Sequence, residues 1–245
     1  MKPAVSTLLF AIICVVQLHA AQNPSNQVLI DRIKINRTLF LSEEHPGVDL
    51  RQLAAKRNGD LSYKIMDDKG FDTCPQCDPN DPETNSYFEA TVKSSDLIAV
   101  GKVVRNISAL SSNHSLVITD SQWMITDVWK ALPLSTADAK PESEVTVVTI
   151  GGTVLLDGHK ISLQQANTES LRTGHTYLLF LKYIPESHSY RYVGTDIDGY
   201  DLSGSVVRPL DHGVSLPYPG LLSNPTKYLA ALKVAVMRSL HSEAQ

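Results

Sequence analysis

Ser95-Asp-Leu-Ile-Ala-Val-Gly-Lys-Val-Val104 reads as the first strand of a β-barrel, and the rest of the chain is organised around it. Its interior is rich in β-branched residues, with a polar Ser-Ser-Asp entry and an Asn-Ile-Ser exit. Gly101 lies in the middle. A glycine weakens a strand, so an interior one marks a bend or bulge where the strand curls across a barrel.

Upstream, Ser86-Tyr87-Phe88-Glu89 has the form of a capping box and predicts a helix over about 87–94 that delivers the chain into the strand. Residues 67–85, punctuated by Asp, Asn and Pro, read as a loop. Asp49 to Arg57 reads as a short helix with Leu50, Leu53 and Ala54 on one face, stopped by Asn58-Gly59. Val28 to Leu41 alternates enough to be a strand packed on the barrel.

Downstream, Leu116 to Trp129 is a long strand whose imperfect alternation predicts a bulge near Thr126-Asp127. Ala131 to Glu142 is a loop. Gly151-Gly152 and Asp157-Gly158 are turn signals, so strands at 144–150, 153–156 and 159–163 are expected to form a meander. Tyr177-Leu-Leu-Phe-Leu181 is apolar on both faces and suits a covered central strand. Tyr190 to Thr195 and Ser203 to Arg208 read as a last hairpin. After a Pro- and Gly-rich stretch, Asn224-Pro225 caps a helix over Lys227 to Leu240, with Leu229, Leu232, Val236 and Leu240 at helical spacing.

The 245 residues, 42% of them hydrophobic, suffice for one substantial core. The net charge is -4 with no clustered Lys/Arg face. That composition argues against a nucleic-acid binder or a polybasic membrane-surface protein. Residues 1–21 follow the three-part pattern of a secretory signal peptide: Lys2, an apolar run from Ala4 to Leu18, then small residues at Ala20-Ala21. Cys14 lies in that run, and Ile13 before it is unsuited to lipoprotein processing. No second long apolar run follows, so no membrane span is expected after cleavage. The expected compartment is secreted or periplasmic.

From Glu89 to Arg208 the order of signals resembles the netrin-like modules and the tissue inhibitors of metalloproteinases. Those are secreted five-stranded OB barrels. The likeness is carried by Asp96-Leu-Ile-Ala-Val-Gly101-Lys102-Val103, by Asp127-Val-Trp129-Lys130, by Val145 to Ile150 and by Gly174-His-Thr-Tyr177-Leu178-Leu179-Phe180. It covers about half the chain. The resemblance implies a mainly β fold with an OB-like barrel. It does not carry the inhibitory mechanism across, because the mature chain would begin with Ala or Gln in place of the family's zinc-chelating cysteine. The family's barrel disulfides are also missing, since no cysteine lies beyond Cys77. Fold by itself does not assign function.

Cys74-Pro75-Gln76-Cys77 is the sharpest chemical motif. An exported chain favours a small disulfide that stiffens the loop. A redox dithiol would want a helix N-terminus to lower the thiol pKa, and Asp78-Pro-Asn-Asp-Pro82 cannot begin a regular helix at once. A zinc site would need two further ligands, and Asp72, Asp78 or distant histidines are unspaced for it. Asp196, Asp198 and Asp201 alternate around Gly199 as oxygen-ligand calcium loops do, but the closing Glu is absent and a polar β-turn explains them as well. Trp123, Trp129, Tyr177, Phe180, Tyr183, Tyr190 and Tyr192 are candidates for a stacking platform, or core filler. The histidines show no catalytic spacing and there is no Gly-x-Ser-x-Gly elbow. Asn36, Asn106 and Asn113 each head an N-glycosylation acceptor sequence.

The expected organisation is a signal peptide over 1–21, an extension and Cys-containing loop over 22–88, an OB-like barrel over 89–212, and a linker and helix over 213–245. The expected function is a non-catalytic binding or inhibitor-like module. Its partner would be an unknown protein or extracellular ligand, met by loops near Cys74, Cys77, Asp72 and Asp78 and by Trp123 and Trp129; no cofactor is expected. The alternative is a thiol-disulfide or metal-dependent protein using Cys74 and Cys77.

Overall fold

The central strand, β2 (Leu97–Leu110), starts as expected and runs on past Val104. The computed structural model describes residues 24–40, 48–65, 82–133, 139–165, 168–193, 197–211 and 218–241. β3 (Val117–Ala131) pairs antiparallel with β2, with register shifts at Ile98/Ala99, Val100/Gly101 and Val103/Arg105. The second shift leaves Thr126 as the extra residue on β3, where the broken alternation predicts a bulge, and Thr126 Oγ1 donates to Val100 O at 3.1 Å.

β4 (Glu144–Ile150) pairs with β3, and β7 (Thr176–Ile184) pairs with the opposite edge of β2. β8 (Ser189–Tyr192) lies antiparallel to β7 and meets β4 in parallel at Val147 and Tyr190. Among the described residues this gives a seven-stranded sheet, β10-β9-β7-β2-β3-β4-β8, curled into a partial ring by the β7–β8 pairing. Its last members are β9 (Gly199–Asp201) and β10 (Arg208–Pro209).

β7 explains its own composition. Tyr177, Leu179 and Leu181 face the ring interior with Trp123, Ile125, Val145, Val147 and Tyr190. Leu178 and Phe180 face outward into a second apolar layer formed by α3 (Pro82–Ser94) and α4 (Pro225–His241), through Phe88, Val92, Tyr228, Leu232 and Val236. A strand covered on both faces has no polar side to alternate with.

A third layer covers the outside of β3 and β4. It contains Ile118 and Val148 with Phe40, Leu50, Ala54, Leu61, Ile161 and Leu163. These come from the end of α1 (Pro24–Leu39), from α2 (Leu50–Arg57) and from a three-stranded sheet of β1 (Leu61–Ile65), β6 (His159–Gln165) and β5 (Gly152–Leu156). α2 stops at Asn58 as expected, in the left-handed region at φ 49°, while Asp49 stands outside the helix as its N-cap and accepts from Gln52 N at 3.0 Å.

Four expectations are corrected. The stretch expected as a strand over Val28 to Leu41 is helical through Leu39 as part of α1, whose inward positions include buried Asn36 and half-buried Arg32; Leu41 lies outside the described residues. Residues 82–85 belong to α3 and not to the loop, which places Ser86 inside the helix instead of at its cap. The meander breaks after β4. Gly151 and Gly152 (φ 103° and 122°) lead the chain away into the small sheet, where β5 pairs with β6 and not with β4. The last hairpin is β9–β10; β8 belongs to β7 and β4. The signal segment 1–21 and the start of the linker at 213 lie outside the described residues.

Candidate functional site

Cys74, Cys77, Asp72, Asp78 and Asp196 lie outside the described residues. Trp123 is fully buried in the ring, against Gly101, and its indole N–H meets no acceptor among the described residues. Trp129 is also buried. Its Nε1 donates to Asp127 Oδ2 at 2.8 Å, and Lys233 of α4 reaches the same oxygen at 2.7 Å while lying 5.7 Å above the indole centroid. Burial alone would raise the Asp127 carboxyl, but Lys233 and the Trp129 N–H outweigh it and hold the group below its ordinary value. Tyr177, Phe180 and Tyr190 are buried as well. Tyr183 and Tyr192 are half-buried against the same interior, so five of the seven aromatics are core and these two keep part of their surface exposed.

The calcium-like acids diverge. Asp201 Oδ2 pairs with His175 Nδ1 at 2.9 Å, and its Oδ1 accepts from Ser203 N at 2.9 Å. Burial would raise this carboxyl too, yet the Ser203 N–H and the His175 ring hold it low. Asp198 is buried, and its backbone N–H donates to Asp211 Oδ2 at 2.7 Å. Among the described residues no three His, Cys, Asp or Glu side chains gather as a metal-holding group. The His175–Asp201 pair orients an imidazole as general bases are oriented. No nucleophile is hydrogen-bonded to its other nitrogen among the described residues; Ser203 Oγ instead accepts from Thr176 N at 2.7 Å. Nearby, Tyr177 OH accepts from Arg172 N at 2.9 Å, and burial pushes its phenol up to about 12.

A polar cluster that the motifs do not announce lies where α1 crosses β3, β4 and β8. Asn36, fully buried, donates its Nδ2 to both oxygens of Asp120, at 3.0 and 3.1 Å. Ser189 Oγ donates to Asn36 Oδ1 at 3.5 Å and sits 2.5 Å from Ser187 Oγ. Arg32 Nη1 donates to Thr146 Oγ1 at 2.6 Å. One turn on, Arg37 Nε binds Leu110 O, and Ser112 N donates to Arg37 O at 3.3 Å. Asp120 is 2% exposed. Its desolvation outweighs the Asn36 hydrogen bonds and the Arg32 charge, and its carboxyl is raised to about 6. The signal that marks this site in the sequence is a carboxylate inside the β-rich run Val117-Ile-Thr-Asp120-Ser-Gln-Trp123.

The three acceptor asparagines differ in the fold. Asn36 is closed off, Asn106 Nδ2 donates to Leu171 O at 2.7 Å, and exposed Asn113 uses its Oδ1 to accept from Ser111 Oγ and Ser115 N. No described helix is long and apolar enough to cross a membrane. Neither a family model nor a curated protein sequence matches the chain.

Proposed function

We propose that the chain is an exported, non-catalytic binding module built on an OB-like barrel of the netrin-like and metalloproteinase-inhibitor type. The observation that carries the reading is the strand circuit. β2, β3 and β4 pair in succession, β7 returns to the free edge of β2, and β8 bridges β7 to β4 with a parallel contact at Val147 and Tyr190. That order suits the five-stranded, partly open Greek-key barrel of OB modules. The interior is filled by Trp123, Tyr177 and Tyr190, which favours recognition by surface loops over chemistry in a cavity. The partner is a protein or other extracellular ligand, met by the Cys74–Cys77 loop and neighbouring barrel loops. The cysteines form a bridge that stiffens this loop.

The test is native mass spectrometry of the exported protein, alkylated with and without prior mild reduction. The expected result is a chain lacking the first 20 or 21 residues, free of metal, with Cys74 and Cys77 alkylated only after reduction. Bound metal or freely alkylated thiols would overturn the non-catalytic reading. A Cys74→Ser variant should then lose some stability and keep measurable partner binding; a chain that turns over substrate and loses it completely on this change is an enzyme.

A further inference from the structure

In OB modules the ligand surface is the face of the second and third strands together with the loops joining strands one to two and four to five. On the barrel reading these are β3, β4, residues 111–116 and residues 185–188. α1 crosses that surface, beside the part of it that α2 and the small sheet cover. Asn36 binds Asp120 on β3, Arg32 binds Thr146 on β4, Ser112 in the first loop donates to Arg37 O, and Ser189 at the end of the second loop reaches Asn36.

The way α1 is held is unlike ordinary core packing. Among the described side chains, an apolar cluster is entered by Leu39 and by Phe40 just past the helix end. Its middle is held by side-chain hydrogen bonds from Arg32 and Asn36. Val28, Ile30 and Ile35 face solvent at 59%, 41% and 37% exposure. Beneath the helix lies a desolvated carboxylate. An apolar residue there would hold a permanent helix at least as well, because burying a charge is unfavourable unless it is fully paired. A carboxylate flanked by Thr146 and Ser189 instead suits recognition of a donor-rich segment.

We propose that α1 is an internal occupant of the barrel's ligand face, a displaceable strap hinged at Phe40, and that the external ligand is a peptide carrying an arginine and a carboxamide one helical turn apart, as Arg32 and Asn36 are. The inference rests on the OB-like binding-module reading. As a tethered segment, α1 competes at high effective concentration, so the intact chain is self-blocked.

The test uses the full chain with Arg32→Ala and Asn36→Ala together. Amide hydrogen exchange along α1 should accelerate at least tenfold while β2 and β7 keep their rates. A labelled peptide of residues 24–40 should bind this variant at least tenfold more tightly than it binds wild type, and a peptide with the same two alanines should lose that binding. Unchanged exchange in α1, exchange that rises equally in β2 and β7, or a peptide that does not distinguish the two proteins would each overturn the strap. Bound metal or free thiols in the mass measurement would overturn the module reading without altering these rates, so the two fail separately.

Discussion

A methyl group at position 101 has nowhere to go. A Cβ there would lie 2.5 Å from Met124 O and 2.7 Å from Trp123 Cε2, so Gly101 is required by the close approach of the Trp123 ring. Gly101→Ala should lower unfolding stability by about 2–3 kcal/mol, read from urea denaturation. Asp120 makes the opposite kind of demand. Its folded carboxyl titrates near 6, above the ordinary 3.8, so the native state binds more protons than the unfolded chain between those values. Stability therefore falls as pH rises through about 4 to 6, by up to about 3 kcal/mol from this group. Asp120→Asn should flatten that window in a pH series of urea midpoints; an unchanged slope would show that Asp120 is not its source. Asp127 and Asp201, both held low, contribute in the other direction and at lower pH: their stabilisation is lost as pH falls through their depressed values.

Helix ends show which elements are written locally. Asn224 Oδ1 accepts from Lys227 N at 3.1 Å ahead of Pro225, so α4 begins where its cap and proline place it. Asn224→Ala should cost about 1 kcal/mol, with the urea midpoint lowered and the slope unchanged. α3 ends by a different means. Lys130 Nζ donates to Val92 O and Lys93 O, both at 2.8 Å, and Lys182 Nζ joins Ser94 O to Asp96 Oδ1. Two strands thus supply the cations that favour the negative end of this helix, and neither is near it in sequence. α1 buries a polar residue, Asn36, in the middle of its inward face. Its reading as a strand fails because its contacts are made by Asn36, Arg32 and Arg37.

The sheet closes into its partial ring at one seam, between β4 and β8. β4 and β8 share a single parallel register pair, Val147 and Tyr190, and Tyr190 packs inside the ring with Trp123 and Tyr177. Tyr190→Ala should destabilise by about 3–5 kcal/mol, as large-to-small core changes do, and should shift tryptophan emission as the ring interior loosens. A loss below about 1 kcal/mol would mean that the seam contributes little to holding the sheet. The same long-range pairing explains the broken meander. The strong turn signals at Gly151-Gly152 belong to a crossing in which a Cβ on Gly152 would collide with Thr119 and Ser108, so the glycines serve passage over β3 and not a hairpin.

The amino-acid order by itself determined the strands at Leu97, Val117, Glu144 and Thr176, the bulge at Thr126, the buried double face of β7 and the capped ends of α2 and α4. These follow from interactions within a few residues: alternation, caps and turns. Tertiary structure alone decided the partners of β5, β8 and β9 and the meeting of Asn36 with Asp120. Those depend on groups far apart in the chain. A buried asparagine and a buried aspartate look like surface residues until the fold brings each to the other and removes water from both.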